Sequence, residues 1–220
     1  YPPVGGFFCE ELMDGKIAAL FVNGELEKSD RILNLVSSCK LIIAVDGGLA
    51  HITKLGLIPH AIIGDMDSVD RDDLKYFEEI GVDVRKFPAE KDQTDLELAI
   101  QYLIDLGFDQ IYLFGATGGR FDHFLGNMYL LTNPDYVGKN IKIITNQYEM
   151  FVCKKMESIF GTTGELVSLL PISKNVLGVE TQGLKYPLKK ENLNRWESRG
   201  ISNIMMNDVA VVQYQEGVLL

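Results

Sequence analysis

LIIAVDGGLAHITKLGLIPHAIIGDMDS, residues 41–68, contains two short apolar runs, LIIAV and AIIG, each emptying into a loop of aspartate and glycine. Near-continuous β-branched runs of this length suit strands buried on both faces of a parallel sheet. The pattern extends outward in both directions: IAALFVNG (17–24) precedes it, and VDVRKFP (82–88), QIYLFGATGG (110–119) and IKIITNQ (141–147) follow. The segments between are amphipathic. In SDRILNLVSSC a Ser29/Asp30 cap leads Ile32, Leu33, Leu35 and Val36, and TDLELAIQYLIDLG carries an apolar stripe that ends at Gly107. Alternating strand and helix predict an α/β domain over residues 16–147 with a mainly parallel sheet.

From Tyr148 the texture changes. MFVCKK, ESIFG, ELVSLLP, VLGVETQG, LKYPL, ISNIMM and VAVVQYQ are short strand-like runs punctuated by Gly, Pro, Asn and Lys. They predict an all-β sandwich or barrel-like domain over residues 148–220. Only KKENLNRW keeps a helix-like period there.

The 220 residues are 46% apolar and 24% charged, an ordinary globular composition, and the formal charge of −10 disfavours nucleic acid as a partner. Cys9, Cys39 and Cys153 are odd in number and widely spaced, which points to a reducing cytoplasm rather than a disulfide framework. No apolar run has membrane-spanning length, so no membrane partner is expected. The opening YPPVGGFFCEELMDGK lacks a signal-peptide pattern and is read as lying outside the fold.

The polar residues of the first half cluster where strands end. Asp46 and Gly47 follow one run, and Asp65 and Asp67 a second. Lys91, Asp92, Thr94 and Asp95 follow a third, and Thr117, Gly118, Gly119, Arg120 and Asp122 a fourth. In open α/β sheets the ligand crevice lies beyond the carboxyl ends of the strands, so parallel strands would converge these loops on one site. Asp65 and Asp67 suit a hard divalent cation, and Asp95 is placed to join them. Lys91 is placed to meet a phosphate. The glycines at 115, 118 and 119 free backbone N–H groups for an anion, and Arg120 adds a cationic fork. Each motif also has a structural reading. DGG is a tight turn, Ser68 a helix cap, and Thr94 with Glu97 a capping box; Asp122 caps the next helix and His123 packs on Asn127. His51 and His60 read as surface or packing residues, and Trp196 as core packing.

Taken in order, DGG, GDMDS, EKDQTD and GATGGRFDH resemble the signature blocks of the thiamin pyrophosphokinase family, and ETQGLKYPL and SRGISN resemble its β-rich carboxyl half. The resemblance implies a Rossmann-like α/β domain that binds ATP and Mg2+, followed by a β-sandwich that binds thiamin and forms a homodimer with shared active sites. It assigns Asp65, Asp67 and Asp95 to the metal and the ATP phosphates, and puts Asp46 and Asp92 in the same acidic site. It sets Ser202 and Asn203 against the aminopyrimidine across the dimer interface. Two departures stand out: Ile204 follows Asn203 where relatives often have glutamate, and Met66 replaces a frequent aromatic.

The implied reaction is attack of the thiamin hydroxyethyl oxygen on the β-phosphorus of ATP, releasing AMP. Arg120 and Lys91 would clamp the diphosphate, and Asp122 or a metal-site aspartate would be the candidate base. Two rival functions share the motifs: a metal-dependent nucleotide phosphohydrolase, and a non-catalytic thiamin or nucleotide sensor.

Overall fold

The computed structural model describes residues 16–88, 92–136 and 138–220. The chain divides into two compact units, the first running to Phe151 and the second starting at Val152.

The first unit is built on a seven-stranded sheet. It comprises β1 (Ile17–Phe21), β2 (Leu41–Val45), β3 (Ala61–Gly64), β4 (Asp83–Lys86), β5 (Gln110–Phe114), β6 (Asn140–Ile144) and β7 (Glu149–Phe151), in the order β4-β3-β2-β1-β5-β6-β7. Every pairing from β4 to β6 is parallel, and only β7 is antiparallel to its neighbour. All the loops singled out in the sequence therefore leave the sheet at one end. Because β7 completes this sheet, the unit passes the expected boundary after residue 147. The start of MFVCKK belongs to the α/β unit.

Alternation along the strands assigns the two faces. Ile17, Ala19 and Phe21 of β1, with Ala44, Ile62, Tyr112 and Phe114, form one buried cluster with α1 (Asp30–Ser37), α2 (Leu49–Leu55) and α3 (Arg71–Glu79). The opposite face receives α4 (Asp95–Asp105), whose Leu96, Ala99, Ile100 and Leu103 are buried against β1, β2 and β3. Phe21 and Phe114 stack at 5.1 Å between centroids at the carboxyl ends of β1 and β5. Burying each ring is worth about 2–3 kcal/mol and fixes the strand ends beneath the loops. Two helices start as the sequence predicts. The Ser29 side chain accepts from Ile32 N–H at α1, and Thr94 Oγ1 accepts from Glu97 N–H at α4. Gly107, at φ +82°, follows the end of α4.

The second unit is an antiparallel β-sandwich. It holds β8 (Met156–Phe160), β9 (Leu166–Val167), β10 (Asn175–Gln182), β11 (Glu191–Asn194), β12 (Asn203–Ile204) and β13 (Val209–Gln213). One sheet has the order β11-β10-β13-β8, and β12 pairs with β9. The layers meet where Leu184, Met205 and Val167 pack on Ala210 and Ile159. KKENLNRW is not helical: its centre is β11, and Leu193 is buried opposite Val176. Pairing and burial override the weak period.

Candidate active site

Strand order reverses between β1 and β5, the point where an open α/β sheet leaves a crevice at its carboxyl end. The loops beside that point are laced together. Gly24 N–H donates to Gly115 O at 2.7 Å, Glu25 N–H to Thr117 O at 2.7 Å, and Gly119 N–H to the Glu25 carboxylate at 3.2 Å. Gly118 and Gly119 both have left-handed backbones, at φ +79° and +63°, and a Cβ on Gly118 would overlap the Glu25 side chain. His51, on α2, lies 2.9 Å from Gly24 O through Nε2. Since a carbonyl only accepts, Nε2 carries the proton. Burial holds the His51 ring below its ordinary value of 6.5, which keeps it neutral. The strand order that brings Asn23, Gly24, Glu25 and His51 to the site is invisible in a linear sequence, so these residues escaped the motif reading.

The acidic loops lie on the other side of β1. Asp46 opens a 3-10 turn, Asp46–Gly48, and its Oδ1 accepts from Met66 N–H at 3.3 Å. Gly47 N–H donates to Ser68 Oγ at 3.1 Å, so Ser68 ties two loops together rather than capping α3, whose cap is Asp70. Asp67 N–H closes a turn onto Asp65 Oδ1 at 3.0 Å. A carboxyl-to-carboxyl hydrogen bond joins Asp46 to Asp95 in the first turn of α4. Burial, then the hydrogen bond and charge of Asp95, push the Asp46 carboxyl up to about 7; the Met66 amide opposes this and Asp65 adds to it.

Among the described residues only four non-glycine positions have positive φ: Asp46, Met66, Lys190 and Ser202. Three of them fall in DGG, GDMDS and GISN. Each costs about 1–3 kcal/mol, and strain of this kind concentrates at functional loops.

The glycine loop differs from its structural reading. Asp122 does not cap α5 (Phe121–Leu130); the cap position is Arg120, with no side-chain bond. Asp122 instead takes both ends of the Arg120 guanidinium, at 2.6 and 3.2 Å, which holds its carboxyl low, at about 2. Asn127 bonds the Ala116 carbonyl at 3.0 Å and steadies the loop rather than pairing with His123. Thr117 contributes its carbonyl to the lacing. Asp92 is exposed in the bend before α4, and Lys91 lies outside the described residues.

In the second unit a cavity of about 660 Å3 is walled by Tyr186, Trp196, Arg199, Gly200 and Asn203. Trp196 is 66% exposed, so it lines this cavity instead of packing in the core. Glu191 grips Arg199 at 2.8 and 2.9 Å. Ser202 N–H is held by Ser168 Oγ at 3.1 Å, and Asn203 is 3% exposed with its amide directed to Tyr186.

Two family models match. Residues 32–145 match the thiamin pyrophosphokinase catalytic domain, and residues 151–219 match the vitamin B1 binding domain of the same enzyme. The chain belongs to the thiamin pyrophosphokinase family. It is 31% identical to the thiamine pyrophosphokinase of Bacillus subtilis over 182 residues, 82% of this chain and 85% of the relative. The crystal structure of thiamine pyrophosphokinase from Bacillus subtilis superposes with a TM-score of 0.83 at 27% identity, over 93% of this chain and 96% of the other. The thiamin pyrophosphokinase from Geobacillus thermodenitrificans gives 0.79 at 29% identity, over 92% and 94%. The break between the two family matches falls at β7, beside the boundary between the compact units.

A thiamin pyrophosphokinase must hold a triphosphate, and the acidic loops bear on how. Among the described residues, no group of three His, Cys, Asp or Glu side chains is gathered as a finished metal cage. The donor chemistry still fits a hard divalent cation. All the convergent donors are oxygens, and burial first, then the neighbouring Asp95 and Asp65 carboxylates, raise the Asp46 carboxyl, a cost that a cation relieves. No helix among the described residues is long and apolar enough to cross a membrane.

Proposed function

We infer that this chain transfers a diphosphate from ATP to the hydroxyethyl oxygen of thiamin, giving thiamin diphosphate and AMP. The observation that carries this is the match of both family domains in order, with the acidic and glycine loops meeting at the carboxyl end of the sheet. In the reaction the thiamin oxygen bonds to the β-phosphorus, the bond from that phosphorus to the α-phosphate bridge breaks with its electrons to AMP, and the hydroxyl proton leaves. Positioning and charge compensation supply most of the rate.

Asp65, Asp67 and Asp95 would hold Mg2+, with Asp46 and Asp92 in the same acidic rim. When bound, the ion offsets charge on the migrating diphosphate. The laced loop of Thr117, Gly118 and Gly119 lies beside the phosphates, with Gly119 N–H held by the Glu25 carboxylate and its neighbours left to face the anion, and Arg120 and Lys91 add positive charge. A carboxylate held at about 2 accepts protons poorly at neutral pH, so in this reading Asp122 orients Arg120 and the hydroxyl proton passes to the acidic cluster.

Ser202 and Asn203 belong to the thiamin side of the site, in a homodimer whose copies share active sites. The apolar surface of the outer strand β8 supports this assembly: Met156 and Phe160 are exposed, and Val209 stands opposite Phe160. A cytoplasmic location completes the reading, supported by the three sparse and widely spaced cysteines.

The test is incubation with ATP, Mg2+ and thiamin followed by chromatography. The proposal expects thiamin diphosphate. Phosphate release independent of thiamin would indicate a hydrolase, and binding without product a sensor; the matched family models favour neither rival.

A further inference from the structure

Three strand ends lie level at the crevice: Phe21 of β1 pairs with Phe114 of β5, and Phe114 with Ile144 of β6. The chain leaving β1 does not stay over its own strand. Val22 N–H donates to Phe114 O at 2.8 Å, and Gly24 and Glu25 then lace onto the loop after β5. Farther along, the side chain of Asn146, in the turn after β6, donates from Nδ2 to Glu27 O at 3.0 Å and accepts from the Ser29 hydroxyl at Oδ1. Because β5 lies between β1 and β6, residues 22–29 span two strand spacings, about 9–10 Å, as a strap across the carboxyl end of β5. The turn that holds the far end is itself fixed. Thr145 Oγ1 accepts from Gln147 and Tyr148 N–H at 3.1 and 2.9 Å, and Arg31 reaches Asn146 O at 3.4 Å and Glu149 at 2.9 Å.

We propose that Asn146 is a positioning residue for the nucleotide: by anchoring the strap it sets the glycine loop that the ATP phosphates meet, without touching ATP itself. The inference rests on the ATP reading above and adds what holds the phosphate side of the site in place. Strap and glycine loop are in close contact, since a Cβ on Gly118 would lie 2.4 Å from the Glu25 carboxyl carbon, so a displaced strap must move the loop. Between the lacing at Glu25 and the start of α1, the strap is held by Leu26, packed on the core cluster, and by Asn146. Glu25 and Glu27 are exposed, so burial does little to fix their backbone. The Ser29 hydroxyl gives its one proton to Asn146 while its lone pair caps α1 through Ile32 N–H at 3.2 Å. A carboxamide suits this position because Glu27 O needs a donor and the Ser29 hydroxyl an acceptor.

The test uses Asn146→Asp, which keeps the size and the acceptor but cannot donate to Glu27 O, and Asn146→Ser, which lacks the reach. For wild type and both variants, ATP is titrated calorimetrically with Mg2+ and no thiamin, KM is measured for ATP and for thiamin, and backbone amide exchange is followed by mass spectrometry. Both variants are expected to weaken ATP about 10-fold in Kd and in KM, with KM for thiamin changed less than about 2-fold. Exchange should quicken in peptides covering 22–29 and 115–119 and stay as in wild type over 65–70. Unchanged ATP affinity would overturn the proposal, whatever the exchange, because the tether would then serve the fold alone. Weaker ATP with unchanged exchange would also overturn it, since Asn146 would be acting on the nucleotide without the strap, and so would equal losses for thiamin and ATP. Wild type that does not bind ATP at all would instead overturn the function on which it rests.

Discussion

Gly64 shows how closely the acidic loops are fitted. Its backbone is at φ +150°, and a Cβ built there would lie 1.7 Å from Asp46 Oδ1. Gly64→Ala must therefore displace Asp46 from the Met66 amide or distort the end of β3. Turnover should fall at least about 100-fold, the scale associated with misplacing a catalytic group by about 1 Å. Near-normal turnover would separate Asp46 from the reaction. Asp67→Asn tests the proposed metal ligands: it keeps shape and removes charge, so turnover should fall by orders of magnitude while the unfolding midpoint stays within about 0.5 kcal/mol of wild type. Asp46, Asp65 and Asp95 were legible in the sequence because carboxylates stand out after apolar runs. The lacing by Glu25 and His51 was not, because it depends on which strands are neighbours. Trp196 misled for a related reason: it lies in the turn after β11, and a lone aromatic does not announce whether it faces the core or solvent.

At the scale of elements, α2 and the loops after β1 and β5 act as one clamp through His51. Its folded pKa lies below the unfolded value of 6.5, so the unfolded chain takes up a proton more readily. The stabilisation from the neutral ring is complete above 6.5 and is lost as pH falls through the folded value. Denaturant midpoints at pH 7.5 and pH 5.5 check this: wild type should lose more stability over the interval than His51→Gln, which keeps a donor but does not titrate. Equal losses would show that His51 is not a clamp. The parallel strands were readable element by element, since buried β-branched runs carry their own signal. β11 was not, and the strand-like start of MFVCKK was assigned to the wrong unit, because a strand of three or four residues is specified by its partner more than by its own period.

For the whole molecule, the proposed homodimer makes the exposed β8 face a structural requirement. Sedimentation should find a dimer, and Phe160→Asp should shift it to monomer with loss of thiamin turnover. A fully active monomer would contradict shared sites. The most direct test of the central claim is product stoichiometry under single-turnover conditions with ATP, Mg2+ and thiamin. The account predicts one AMP for each thiamin diphosphate formed and no AMP when thiamin is withheld. ADP as the nucleotide product, or AMP formed at the same rate without thiamin, would contradict it.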